Sequence, residues 1–303
     1  MIDVIIVNYN ASSYLQSLLD ALLSKDALVK SRRLQISVTV VDNASSDGSA
    51  SMVETRFPQA KLIQREANDG YAAAVNEGVA ATDNRVILLL NSDVFVTIDQ
   101  VAALQRIWER LDFPGVLAPL HLEEDDFPQQ TWGGFPTPQA ELKRKRLEQG
   151  LNQREPWARR EAMNEASRTR EVDWVSGSCM LFPRLTLEEA GPWDQNFFLY
   201  FEDIDWCLRV KEKGLSVFHT PEVRVVHAHG ASMEQDPESS EIEYRLSQCY
   251  FTLKHFGGWA LWKLRFYLTL KQLGRFLLGG RSGFSRGTSW EILRNLWRNP
   301  MNQ

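Results

Sequence analysis

The chain has 303 residues, 44% hydrophobic and 24% charged, with a net charge of −5; this suits one large α/β domain with an appendage, or two modest domains, and excludes wholesale disorder. Residues 254–303 hold nine basic side chains against one acid, Glu291, so the acidic excess lies wholly in the rest of the chain. An acidic body with a basic tail points to an anionic surface such as a membrane, in preference to nucleic acid.

Residues 4–7, 36–41 and 86–90 are apolar on consecutive positions, as expected for parallel strands covered on both faces. Between them, residues 14–23 and 49–57 carry apolar side chains three and four apart and read as crossover helices, so the order predicts an α/β, doubly wound, mostly parallel sheet. Ligands of such sheets sit beyond the carboxyl ends of the strands, which draws attention to residues 8–10, 42–47 and 91–93.

Residues 121–171 pass from EEDD through GGFPTP and KRKR to REPWARREAMNEASRTRE. Apolar periodicity nearly vanishes there, and a mobile, mostly exposed insertion is expected, as a lid or an acceptor-contacting segment. Order returns with a strand in DWVSGSCMLFP and a helix at 185–190. FFLYFEDIDWCLRVKEKG reads as a turn entering a helix that stops at Gly214, and residues 215–218 and 223–227 as short strands. After Tyr250, large aromatic and apolar residues interleave with Lys and Arg. One reading is a helix or helix pair in the membrane interface; the competing one is a packed terminal helix whose lysines snorkel.

The cysteines Cys179, Cys207 and Cys249 are odd in number and lack C-x-x-C spacing, which argues against a disulfide framework or zinc site and for a reducing, cytosolic setting. No leader is read before the first strand, and no apolar run reaches the ~18–20 residues that cross a bilayer.

Asp93 follows a buried strand in LLLNSDV. With Asn91 it offers hard oxygen donors to one Mg²⁺ or Mn²⁺, whose shell a nucleotide diphosphate would complete; the same tripeptide also suits an ordinary turn or cap. Asp42, in VVDNASSDGS, is placed to accept a hydrogen bond from a base imide or ribose hydroxyl, with Asp47 a helix cap. NDGYAAAVNEG supplies small residues where a helix start must come close to a neighbour or ligand; core packing accounts for its alanines but not for Asn68 and Asn76. YFEDIDW crowds Glu202, Asp203 and Asp205 among aromatic rings. Such acids raise one another's proton affinity, which suits a general base. Asp205 has Arg209 four residues on as a helical partner, so Asp203 is preferred as base over Glu202. In VVHAHGAS, His227 or His229 is a candidate for the cation or diphosphate, and Gly230 lets the backbone approach.

Taken together, VIIVNYN, VVDNASSDGS, NDGYAAAVNEG, LLLNSDV, WVSGSCMLFPR, GPWDQNFFLYFEDIDWCLR and HAHGAS resemble family 2 glycosyltransferases of the GT-A fold, especially rhamnosyltransferase-like bacterial members, over about residues 2–232. The resemblance implies that Asp42 binds the nucleobase or ribose, that Asp93 binds the metal with His227, which fits H-x-x-G-x-S better than His229, and that Asp203 is the base with Glu202 beside it. It implies donor contacts from Asn8, Asn10, Asp42, Asn43, Asn68, Gly70, Asn76, Asn91, Ser92 and Gly177. Asn91 stands where a full D-x-D would have Asp. The expected activity is inverting transfer of rhamnose from dTDP-rhamnose onto a glycan or polyprenyl-linked acceptor in cell-surface polysaccharide synthesis, with Mg²⁺ or Mn²⁺. A GT-A domain is expected over residues 1–235 and a basic, membrane-associating helical extension over 236–303, on the cytoplasmic face. The alternatives are a UDP-sugar donor, or a catalytically silent nucleotide-sugar-binding or membrane scaffold protein.

Overall fold

The computed structural model describes residues 1–24, 34–112, 115–228, 237–278 and 286–297. In chain order the first part comprises β1 (Ile2–Asn8), α1 (Ser12–Leu23), β2 (Ile36–Asp42), α2 (Ser49–Arg56), β3 (Lys61–Gln64), α3 (Tyr71–Ala80), β4 (Val86–Asn91), β5 (Val94–Phe95), α4 (Ile98–Arg110) and β6 (Val116–Leu122). There follow β7 (Trp132–Gly133), α5 (Pro138–Asn152), α6 (Pro156–Glu165), β8 (Arg170–Glu171), β9 (Trp174–Val175), β10 (Cys179–Pro183), α7 (Arg184–Ala190), α8 (Glu202–Glu212), β11 (Val217–His227), α9 (Pro237–Leu278) and α10 (Arg286–Leu296).

The main sheet runs β3-β2-β1-β4-β10-β6-β11-β5, with β8 beside β11. β1, β2, β3 and β4 are mutually parallel, and so are β6 and β11; antiparallel β10 joins the two blocks. Side chains alternate across a strand, so Ile2, Val4 and Ile6 of β1 face the core shared with α1, α2 and α4, while Ile5 and Val7 face that shared with α3 and α8. This two-sided burial is why the strands read as continuous apolar runs.

The structure departs from the sequence reading in several places. Val217–His227 form one strand with a register shift between Thr220 and Arg224, where the sequence predicts two separate strands over 215–218 and 223–227. DWVSGSCMLFP divides into β9 and β10 around the 176–178 turn. Within 121–171, α5 and α6 pack on each other through Leu147, Leu151, Ala158 and Ala162, with Phe127 and Trp157 against them, and Gln129, Thr131 and Trp132 are buried. Two of those four core residues are alanines and the Arg146 guanidinium lies over the Trp157 ring, so the apolar signal was too thin to show a helix pair.

α9 breaks at Gly257, whose φ of 79° and ψ of 176° are non-helical. Before the break, Tyr244, Tyr250 and Phe251 pack on Phe197 and Phe201. After it, Leu261 and Leu268 meet Ile292 and Leu296 of α10. Among the described residues no helix is long and apolar enough to cross a membrane.

Candidate functional site

The carboxyl ends of β1, β2 and β4 lie side by side, with Asn8 registered against Asp42 and Val7 against Asn91. Asn8 is fully buried, and its Nδ2 donates to Asp42 Oδ1 (2.8 Å) and Ser45 Oγ (3.2 Å). The Ser45 amide donates to Asp42 Oδ2 (3.0 Å), so both carboxylate oxygens are held and the Asp42 side chain is fixed in direction. Asn10 accepts from the Ser46 amide, and Asp47 Oδ1 accepts from the Ser49 amide at the start of α2 (3.0 Å), although the N-cap of α2 is Gly48 and not the expected Asp47. Asn43 donates to Asn68 Oδ1 (2.7 Å) and accepts from Arg65 (2.5 Å). Asn68 Oδ1 also takes the Gly70 amide. Gly70 has a φ of 94°, and a Cβ there would lie 2.5 Å from the Phe198 carbonyl oxygen, which explains a glycine at the α3 start. Asn76 uses both arms of its amide on the Trp193 backbone, at 2.8 and 2.9 Å, clamping α3 to the segment after α7. Ser92 is buried, and its amide donates to Val7 O (3.1 Å).

β5 pairs antiparallel with the end of β11, setting Val94 opposite His227. This brings Asp93 Oδ1 to 3.4 Å from His227 Nε2. His229 and Gly230 lie outside the described residues. Among the described residues no three His, Cys, Asp or Glu side chains converge as a metal cage; the Asp93–His227 pair offers two ligands. That fits Mg²⁺ or Mn²⁺, which take few protein ligands and complete the shell with phosphate and water oxygens. Asn91 Oδ1, two residues before Asp93, is buried without a hydrogen-bond partner, a further hard oxygen of the kind such an ion accepts.

Glu202 and Asp203 stand in the first turn of α8. Just before them, Tyr200 and Phe201 adopt φ of 69° and 66°, conformations that cost of order 1–3 kcal/mol each and persist only where packing enforces them. Phe201 is gripped by Phe251 and Tyr244 of α9. Asp203 is half-buried: Oδ2 accepts from the Gly177 amide (3.1 Å) and Oδ1 from the Ile204 amide (2.8 Å). Burial raises its pKa, and these donors oppose the rise. Glu202 is 5% exposed, with Oε2 unpartnered; burial and then repulsion from Asp203 push its pKa well up. Of the two acids, Asp203 has the donors that support a negative charge. Asp205, as the spacing indicated, pairs with Arg209 (3.0 Å), and also with Lys254 and His255, both at 2.7 Å.

The acid pair and the strand end that leads to Asp93 are linked through the Gly177–Ser178 turn. Tyr71 donates to the Gly177 carbonyl (2.8 Å), and its pKa is raised by burial first and then by the charges of Glu202, Asp203 and Asp93. Gly177 NH holds Asp203, and Asn91 NH donates to the next carbonyl, Ser178 O (2.9 Å). Tyr71 thus feels the charge of acids from two segments, the start of α8 and the turn between β4 and β5. Two buried residues escaped the sequence reading. His121 ends β6, a strand that reading missed, with Nε2 3.0 Å from Ser178 Oγ and Nδ1 3.0 Å from Thr131 Oγ1. Gln129 contacts His227 through both amide arms. The rule that drew attention to the other strand ends would have found His121 had 116–122 been recognised as a strand; no sequence pattern marks Gln129.

A family model described as "Glycosyl transferase family 2" matches residues 3–188. An N-acetylglucosaminyl-diphospho-decaprenol L-rhamnosyltransferase of Mycobacterium tuberculosis is 28% identical over 295 residues, covering 89% of this chain and 91% of its own. The low-salt glycan biosynthesis hexosyltransferase Agl10 of Haloferax volcanii is 23% identical, covering 75% of this chain and 66% of its own. Among solved structures, the mannosyltransferase PcManGT of Pyrobaculum calidifontis, in complex with GDP-Man and Mn²⁺, superposes with a TM-score of 0.54 at 16% identity over 85% of this chain; the chain spans 64% of that protein's length. That likeness extends to the GT-A architecture of a mostly parallel sheet flanked by helices. With the family model spanning most of the sheet and the acids and strand ends in these positions, the chain belongs to glycosyl transferase family 2 and is a glycosyltransferase.

Proposed function

We propose that this enzyme is an inverting rhamnosyltransferase that uses dTDP-rhamnose and Mg²⁺ or Mn²⁺ to extend a polyprenyl-diphosphate-linked glycan for a cell-surface polysaccharide, at the cytoplasmic face of the membrane. The observation that carries this reading is the Gly177–Ser178 turn, whose Gly177 amide holds Asp203 and whose Ser178 carbonyl takes the amide of Asn91, two residues before Asp93: one turn ties a proton acceptor to the strand end that offers a cation ligand. The mycobacterial relative, similar along nearly the whole of both chains, supports the donor sugar and the lipid-linked acceptor; the Mn²⁺ in the PcManGT complex supports the cation.

In this reading the Asp42 carboxylate, held by Asn8 and Ser45, receives the donor's nucleoside, and Asn91, Asp93 and His227 hold the cation. When bound, the cation offsets the charge left on the departing diphosphate. Asp203 takes the proton of the acceptor hydroxyl, whose oxygen forms the bond to the anomeric carbon as the bond to the diphosphate breaks on the opposite side. Burial keeps the Tyr71 phenol protonated, so it serves as a hydrogen-bond donor that fixes the Gly177 turn.

The membrane partner is assigned to the second half of α9. Trp259, Trp262, Phe266, Tyr267 and Leu270 are 49–68% exposed, at spacings that align them along one side of a helix. Trp259, Trp262 and Phe266 stack in series at 5.4 and 5.8 Å. Aromatic side chains beside lysines such as Lys263 suit the headgroup region of an anionic bilayer.

The test is transfer of label from dTDP-rhamnose to an N-acetylglucosamine-diphosphate-polyprenol, with UDP-sugars in parallel. Asp203→Asn is expected to lower turnover by about 10²–10⁴-fold while donor-induced thermal stabilisation persists. Transfer solely from a UDP-sugar would replace the donor, and donor binding without any transfer would favour a silent binding protein.

A further inference from the structure

The tautomer of a metal-binding histidine is set by what its other nitrogen meets, and here the geometry identifies that partner atom by atom. The backbone oxygen of His227 can only accept a hydrogen bond, so the Gln129 arm 2.8 Å from it is the amino group. The carbonyl arm is therefore the one 2.9 Å from His227 Nδ1, and an oxygen in that position requires an N–H facing it. Reversing the amide would set carbonyl against carbonyl and lose the bond to the His227 backbone oxygen, which is what fixes the orientation. Gln129 is itself 3% exposed and anchored by its backbone amide to His121 O (3.0 Å). The His121 ring packs edge-on against His227, with centroids 5.7 Å apart at 70°, which limits the ring's freedom to turn.

We infer that Gln129 is a positioning residue that holds His227 as the Nδ1–H tautomer, so that the Nε2 lone pair is presented on the side where Asp93 Oδ1 lies 3.4 Å away and is ready for a divalent cation. The inference rests on the assignment of Asp93 and His227 as cation ligands and adds to it a residue from a different part of the chain. It also gives the 123–128 turn after β6 a purpose: Glu123 NH donates to Phe127 O (2.8 Å), folding the chain back so that Gln129 lies beside the strand it has just left.

Imidazole-¹⁵N-labelled, metal-free protein, observed by NMR at a pH where the ring is neutral, reports the tautomer directly, the His227 signal being assigned by its loss in His227→Ala. Wild type is expected to show Nδ1–H. Gln129→Leu is expected to move His227 toward Nε2–H and to weaken binding of Mn²⁺ alone, read by electron paramagnetic resonance without donor, by about tenfold or more. Gln129→Glu, whose carboxylate still accepts from Nδ1–H but has no donor for the His227 backbone oxygen, is expected to keep the tautomer. An Nε2–H tautomer in wild type overturns the inference whatever the variants do, as does a Gln129→Leu protein with unchanged tautomer and affinity. Undiminished Mn²⁺ affinity in His227→Ala would instead remove His227 as a ligand, and with it the cation half of the argument, while the tautomer measurement stands separately.

Discussion

The two halves of α9 are similarly rich in aromatic residues but treat them in opposite ways. Before Gly257, Tyr250 and Phe251 are buried against Phe197 and Phe201, and Lys254 and His255 reach the buried Asp205 of α8. After Gly257, Trp259, Trp262 and Phe266 stack on one another in the open. The first half is a foundation for the turn that carries Glu202 and Asp203; the second makes few demands on the body and is available to something outside it. A helix pattern alone does not distinguish the two, because what decides is whether a facing surface exists.

The contrast can be broken from either side. Phe251→Ala empties a fully buried site and is expected to cost about 3–5 kcal/mol in denaturant unfolding, with loss of transfer because Phe201 and the strained turn lose their support. Asp205→Ala leaves three cationic or hydrogen-bonding partners facing a partly buried gap, a loss of roughly 3 kcal/mol. The same tie predicts an acid limit. Burial disfavours the charge of Asp205, yet the His255 and Lys254 hydrogen bonds and the Arg209 charge outweigh it and hold its pKa below the usual carboxylate value. Asp194, also bonded to Lys254, is held down to about 2 against the same opposing burial. A depressed folded-state pKa contributes stability above the unfolded value that is lost as pH falls through the folded one. The melting temperature is therefore expected to fall steeply below pH 4, and less steeply in Lys254→Met.

At Gly257 the φ of 79° favours glycine although a Cβ would meet nothing within 4 Å, so Gly257→Ala is expected to cost only about 1 kcal/mol, visible as a small shift in unfolding midpoint. The smallest stability change belongs to the belt. Trp259→Ala, Trp262→Ala and Phe266→Ala are each expected within about 0.5 kcal/mol of wild type, whereas the triple variant loses co-sedimentation with phosphatidylglycerol vesicles. Unchanged sedimentation would end the membrane assignment without touching the chemistry.

What could be read from the sequence follows from the range of each interaction. Asn8, Asp42 and Asn91 stood out because each closes an apolar run at the carboxyl end of its strand. The Asp205–Arg209 pair was visible because one helical turn separates them, but Lys254 and His255, some 50 positions away, were not. The helices α5 and α6 were hidden by a core half made of alanine. Asn68 and Asn76 stood out as polar residues in an alanine-rich stretch; the structure has them bonded to nearby backbone atoms of Gly70 and Trp193, contacts that depend on how two loops meet and not on any pattern along the chain. Gln129 contacts a residue 98 positions distant across a folded-back turn, beyond any local signal.

The brevity of β5 has a consequence for how this architecture can vary. Two residues, Val94 and Phe95, crossing the last two of β11, are what carry Asp93 to His227, so a deletion of a single residue between positions 91 and 96 would turn Asp93 to the opposite side of the ladder. The stretch from 134 to 169 contributes no strand to the main sheet, so its loops are under no such register constraint, while α5 itself is tied to α9 through Glu141, Arg144 and Tyr244. Length change is expected to be tolerated in the loops on either side of α5 and α6, while the spacing around Asn91 and Asp93 stays fixed.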